Sequence, residues 1–179
     1  MNPRILTGPL LLAPGLANSQ TKPSYPPRTF SEHFAFRTDY GKIRDKAVSA
    51  PDLKDRRAAT LTLLTEALKL AEWTQKHPVQ QGWNGEDVVV RTTLSPVLIE
   101  FAQQGLKKCD APIATTHAAA TRKFSSMAIR FGYKAGSLDR VGAYPTDADY
   151  HRCYESVRRK LPPVSASLRA AISSLRSLQ

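Results

Sequence analysis

The sequence predicts an all-α protein: a single bundle-like domain of five or six helices over residues 31–179, preceded by an extended, proline-rich N-terminal arm over residues 1–30. Three observations carry this expectation. Beyond residue 30, apolar residues recur at three- and four-residue spacing through most of the chain, which is the period of one helix face. Only one run, residues 88–93, has the β-branched character of a strand, and no partner strand is visible for it. Six of the 13 prolines fall in the first 30 residues, where they withdraw backbone donors and bias their neighbours to extended shapes. The 179 residues, 41% hydrophobic and 23% charged, suit one globular domain and exclude a disordered chain.

In chain order, residues 31–40 hold Phe34, Phe36 and Tyr40 in a short helix that Gly41 is expected to end. The clearest helix spans residues 51–77. Pro51 suits its first turn, and Asp52 and Asp55 suit the positive end of its dipole. Leu53, Arg57, Leu61, Leu64, Leu68 and Ala71 form its stripe, and Pro78 stops it. Residues 80–86 read as a turn around Gly82 and Gly85, followed by the short strand at 88–93. Ser95 and Pro96 read as a new helix start, with Val97, Leu98, Phe101 and Leu106 as its apolar side.

From Pro112 the set Ile113, Ala120, Phe124, Met127, Ala128 and Phe131 is helical again, and glycines 132, 136 and 142 mark a loop. Thr146 with Asp149 reads as a capping pair for a helix whose stripe is Tyr150, Cys153, Tyr154, Val157 and Leu161, ended by Pro162 and Pro163. Leu168, Ala171, Ile172, Leu175 and Leu178 make a last helix.

The charge points to a partner class. Lys and Arg number 26 against 15 Asp and Glu, a formal +11, which favours polyanions through long-range attraction and counterion release. Residues 1–99 carry net +4 and residues 100–179 net +7, and no acid follows Glu155. The expected contacts are therefore two clusters in the second half: Arg122, Lys123, Arg130 and Lys134, and then Arg152, Arg158, Arg159 and Lys160. Arg152, Glu155 and Arg159 share one side of their helix, opposite Val157. Tyr150 and Tyr154 follow core spacing, and Arg56 and Arg57, on the less basic half, are expected to matter much less for such binding.

No catalytic constellation is legible. There is no Gly-rich phosphate loop, His33, His77, His117 and His151 are scattered, and Cys109 and Cys153 lack metal or redox spacing, so neither enzyme activity nor a cofactor or metal is expected. No apolar run reaches the roughly 18 residues of a membrane span. Residues 1–30 admit three readings: a secretory signal, whose apolar stretch Pro9 and Pro14 break; a mitochondrial presequence, acid-poor but not Arg-rich; and an arm that docks on a neighbouring subunit. The arm is preferred, with Leu10, Leu11, Leu12, Tyr25 and Phe30 as its contacts, because three consecutive leucines need a groove.

Residues 101–130 resemble the coat proteins of flexible filamentous plant RNA viruses. Phe101-Ala102, Lys107-Lys108, Ala111-Pro112 and Lys123-Phe124 follow the order of that family's Phe-Ala near a helix start, basic pair, Ala-Pro and Lys-Phe. Where the family has an Asp flanked by phenylalanines, this chain has Ser125, Ser126, Met127, Ala128 and Ile129, so the family's buried Arg–Asp pairing does not carry over. The resemblance implies an all-α protomer that holds single-stranded RNA in a basic groove and joins its neighbours by arms, in a virion or the host cytoplasm. The expected function is thus a self-assembling coat or nucleocapsid protein on single-stranded RNA. Alternatives are a small basic subunit of a ribonucleoprotein such as an organellar ribosome, which would make the location mitochondrial, or a helical DNA-binding regulator.

Overall fold

The computed structural model describes residues 25–109 and 146–178, without the side chains of Asp149 and Cys153. Leu10–Leu12, the helix expected from Pro112 and the glycine loop lie outside the described residues. Five helices and no strand are present among those described: α1 (Phe30–Ser49), α2 (Leu53–Lys76), α3 (Gly85–Leu106), α4 (Asp147–Arg159) and α5 (Leu161–Arg176). The all-α class is as predicted.

Helix α1 starts one residue earlier than expected and runs nine residues longer. Thr29 and Glu32 form a capping box: the Thr29 hydroxyl accepts the Glu32 N–H, and the Glu32 carboxylate accepts the Thr29 N–H. Gly41 does not end the helix; its missing side chain costs propensity, but the helix continues to Ser49 because Phe36, Tyr40 and Ile43 pack on the core. Pro51 precedes α2 rather than standing in its first turn, and Asp52 caps the helix by accepting the Lys54 N–H. The buried stripe of α2 is Thr60, Leu63, Ala67, Leu70 and Thr74, with Leu64 and Ala71 beside it. The predicted Leu53, Leu61 and Leu68 lie on its half-buried flank.

The largest departure is α3. The strand expected at residues 88–93 and the helix start expected at Ser95-Pro96 are both replaced by one helix, capped at Asn84, whose side chain accepts the Asp87 N–H. Pro96 sits in its interior and is buried. The helix is enclosed on nearly every side: Val88, Val90, Leu94, Leu98, Ile99, Phe101 and Ala102 are all buried. Burial all round removes the alternation that would mark a helix face, and it tolerates β-branched residues that would weaken a solvated helix. Phe101 and Ala102 therefore stand near a helix end, not a start.

Helix α2 packs against α1, α3 and α5, and α3 against α1 and α4. The closest approach is at Gly105 of α3, where a Cβ would overlap the Thr60 hydroxyl of α2 and come 3.0 Å from Ala47 of α1. Pro162 and Pro163 do not merely follow α4; they lie in the first turn of α5, which has no capping side chain. Proline suits that turn, because it lacks the N–H that would otherwise need a partner. Leu161, Val164, Leu168, Ala171, Ile172 and Leu175 bury one face of α5, whereas Leu178, expected in that stripe, is 38% exposed. No helix among the described residues is long and apolar enough to cross a membrane.

The two ends of the bundle are tied differently. At the start of α2, Arg56 donates to the carbonyls of Ala50 and Lys108, and Arg57 to those of Cys109 and Leu178. These two arginines hold the ends of α1, α3 and α5 together, since terminal helix carbonyls need donors. At the other end, Gln75 of α2 donates to Ser165 of α5, and Arg169 pairs with Glu72 at 2.6 Å. Helices α2 and α5 therefore run antiparallel.

Candidate nucleic-acid interface

Helix α4 is seated on the α2–α3 connection by side chains that bind backbone groups. The Tyr154 hydroxyl donates to the His77 carbonyl at 2.8 Å, His151 Nε2 donates to the Trp83 carbonyl at 2.8 Å, and Arg158 Nη1 donates to the Gln75 carbonyl at 3.1 Å. In the opposite sense, the Val79 N–H donates to Glu155 Oε1 at 3.0 Å. A connection of this length carries polar backbone groups that must find partners, and α4 supplies four.

An aromatic stack lies beneath. Trp73 and Trp83 are parallel, with centroids 6.3 Å apart, and the Arg91 guanidinium lies 4.8 Å and 4.4 Å from their centroids. The Tyr154 ring meets Trp83 edge-on at 5.2 Å. Burial pushes the Tyr154 hydroxyl up to about 12, so it is a neutral donor at any physiological pH. Arg91 is 7% exposed, and among the described residues its Nε and Nη1 have no hydrogen-bond partner; burial lowers its pKa, opposed by Asp87 at 3.8 Å. The ring faces compensate part of that desolvation.

With this face occupied, the other face of α4 is free to look outward. His151, Arg152, Glu155, Ser156, Arg159 and Lys160 line an open hollow of about 590 Å³. Among the described residues, Glu155 is the one carboxylate in that lining. Burial raises its pKa, but the Val79 N–H and Arg158, 2.8 Å away, more than offset this, and the net shift is downward. Its charge is thereby matched by Arg158, and the described lining also carries three cations, Arg152, Arg159 and Lys160.

Of the eight expected phosphate contacts, the structure brings these three together. Arg158 is placed elsewhere: it is half-buried and held by Glu155 and Gln75. Arg122, Lys123, Arg130 and Lys134 lie outside the described residues. Tyr154 is fully buried and Tyr150 packs on the Trp83 cluster, as their core spacing predicts, so neither lines the hollow. His151 and Ser156 escaped the sequence reading, although positions 152, 156 and 159 mark one side of a helix. Arg91 gave no signal beyond a cation amid apolar residues.

Of the expected arm contacts only Tyr25 and Phe30 are among the described residues, and both bond to this chain's own bundle. The Tyr25 hydroxyl donates to Glu66 at 2.6 Å, and its ring lies 4.0 Å below the Lys69 ammonium. Phe30 is 56% exposed, and its N–H donates to Glu86. Among the described residues no three His, Cys, Asp or Glu side chains group as a metal site would require. No family model, curated protein or solved structure matches this chain.

Proposed function

We propose that the protein is a structural nucleic-acid-binding protein that packages single-stranded RNA and assembles with copies of itself, in the manner of the filamentous-virus coat proteins its sequence resembles. The observation that carries this reading is the hollow on α4, where Arg152, Arg159 and Lys160 converge and the neighbouring Glu155 is matched by Arg158. Guanidinium and ammonium groups hold phosphates, and among the described residues the lining has no Phe, Tyr or Trp ring to stack on a base, while His151 is held by the Trp83 carbonyl, so the contact is to the backbone and indifferent to sequence. Self-assembly is supported by exposed aromatics: Tyr25, Phe30 and Phe34, at 44%, 56% and 72% exposed, fall within one stretch at the start of the fold. A place in a virion or in the host cytoplasm follows from the same reading.

The test is a triple substitution, R152Q/R159Q/K160Q, titrated against fluorescent oligouridylate by anisotropy. Three lost contacts lower the slope of log affinity against log salt by about 2, at about 0.7 each. Negative-stain microscopy of wild-type protein with RNA is expected to show rods or rings. An unchanged slope in the variant, or a preference of the wild type for duplex, would contradict the reading.

A further inference from the structure

The end of the bundle remote from α4 carries a second concentration of positive charge. Arg56 and Arg57, by binding the carbonyls of Lys108, Cys109 and Leu178, draw together segments far apart in sequence. Lys54 in the first turn of α2, Lys107 and Lys108 just after α3, and Arg176 in the last turn of α5 lie at the same end as Arg56 and Arg57. Lys46 and Asp55 pair at 3.7 Å and cancel, and Asp52 caps α2. Six cations against one carboxylate leave an excess of five among the described residues.

Basic residues at helix C-termini have an ordinary explanation, since they offset the dipole, and the C-termini of α1, α3 and α5 all lie at this end. Its magnitude decides the matter. Three C-termini against the N-terminus of α2 amount to roughly one negative charge in all, at about half a charge each. About four positive charges remain. Arg56 and Arg57 are committed to carbonyls, but Lys54, Lys107, Lys108 and Arg176 are exposed and make no ion pair among the described residues.

We infer that this end is a second phosphate-binding surface for the same nucleic-acid strand, so that each protomer holds its strand at both poles of the bundle. The inference rests on the reading of the α4 hollow as a phosphate site. Gln75 binds both α4 and α5, which places the hollow at the end of α2, while this surface is at its start. The 24 residues of α2 set the separation at about 36 Å, from a rise of 1.5 Å per residue. That is several times the Debye length of about 8 Å, so the poles act independently and only a strand long enough to span them engages both. At about 3.4 Å per phosphate in a stacked strand, this takes about ten nucleotides.

The experiment compares 4-mer and 20-mer oligouridylate binding to wild type, to the hollow variant R152Q/R159Q/K160Q, and to K54Q/K107Q/K108Q/R176Q, whose exposed positions avoid the arginines that tie the helix ends. Helical content and melting temperature are recorded for each. The expected result is a steeper salt slope for the 20-mer than for the 4-mer on wild type. In the four-site variant the 20-mer slope drops by about 3, four contacts at about 0.7 each. A four-site variant that keeps the wild-type 20-mer slope, while the hollow variant loses part of it, overturns the second surface and leaves the first intact. Failure of the wild type to bind either oligomer overturns both.

Discussion

Two glycines inside helices, Gly41 and Gly105, have opposite physical standing in the fold. A Cβ at Gly41 of α1 would meet nothing within 4 Å, so this residue only costs the helix propensity and unfolded-state entropy. Gly41→Ala is expected to raise unfolding free energy by about 0.5–1 kcal/mol. At Gly105 a Cβ would press on the Thr60 hydroxyl and on Ala47, so α1, α2 and α3 would have to part. Gly105→Ala is expected to cost about 1–3 kcal/mol, the range for overpacking a filled core. Urea titrations of the two variants check both signs; a destabilised Gly41→Ala or a neutral Gly105→Ala would contradict the packing described. Periodicity cannot distinguish the two, because the difference lies in what approaches from another helix. The same holds for Arg158 and Arg159, adjacent in sequence: one is spent on Glu155 and Gln75 and the other faces outward, a distinction set by 100° of helix rotation and by what α4 packs upon.

Among the elements, α2 and α5 were legible because each buries one stripe and leaves the rest solvated, so their apolar residues keep a helical period. Helix α3 was not, because a helix buried all round has no stripe, and its β-branched residues then read as a strand. The capping box at Thr29 and Glu32 is a four-residue signature and was available to the eye; the competing length of the proline-rich arm hid it. The junction of α1 with α3 also carries a titratable group. His33 Nε2 lies 3.2 Å from the Thr93 hydroxyl, which itself donates to the Val89 carbonyl and so accepts from the imidazole. Burial, reinforced by Arg37, lowers the His33 pKa from 6.5, so the folded chain binds its proton later than the unfolded one. Stability from this group is complete above pH 6.5, falls as pH drops through the window between 6.5 and the lowered value, and is then level. Urea midpoints at pH 7.5 and 5.5 are expected to differ, and His33→Gln, which keeps a donor, is expected to shrink that difference. A wild-type midpoint equal at the two pH values, or a variant with the full difference, would count against this placement.

At the scale of the molecule, the fold explains why the charge excess could be counted in the sequence but not located by it. Net charge by halves leads to the expectation of a polyanion site in residues 100–179, and of the cations there Arg152, Arg159 and Lys160 share one face of α4. The antiparallel course of α2 and α5 then carries Arg176 to the opposite end, where α2 begins and α3 ends, a place no division of the sequence into halves would give it. Positive charge at two poles is what the proposed role, holding a strand by its phosphates, requires. The most direct measurement is the salt dependence of wild-type affinity for 20-mers of uridine, adenosine and cytidine. The account predicts a common steep slope, at least about −2 from the three cations of the hollow alone at about 0.7 each, and affinities within a few-fold of one another across the three sequences. A slope near zero, or one sequence bound far more tightly than the others at every salt concentration, would contradict it.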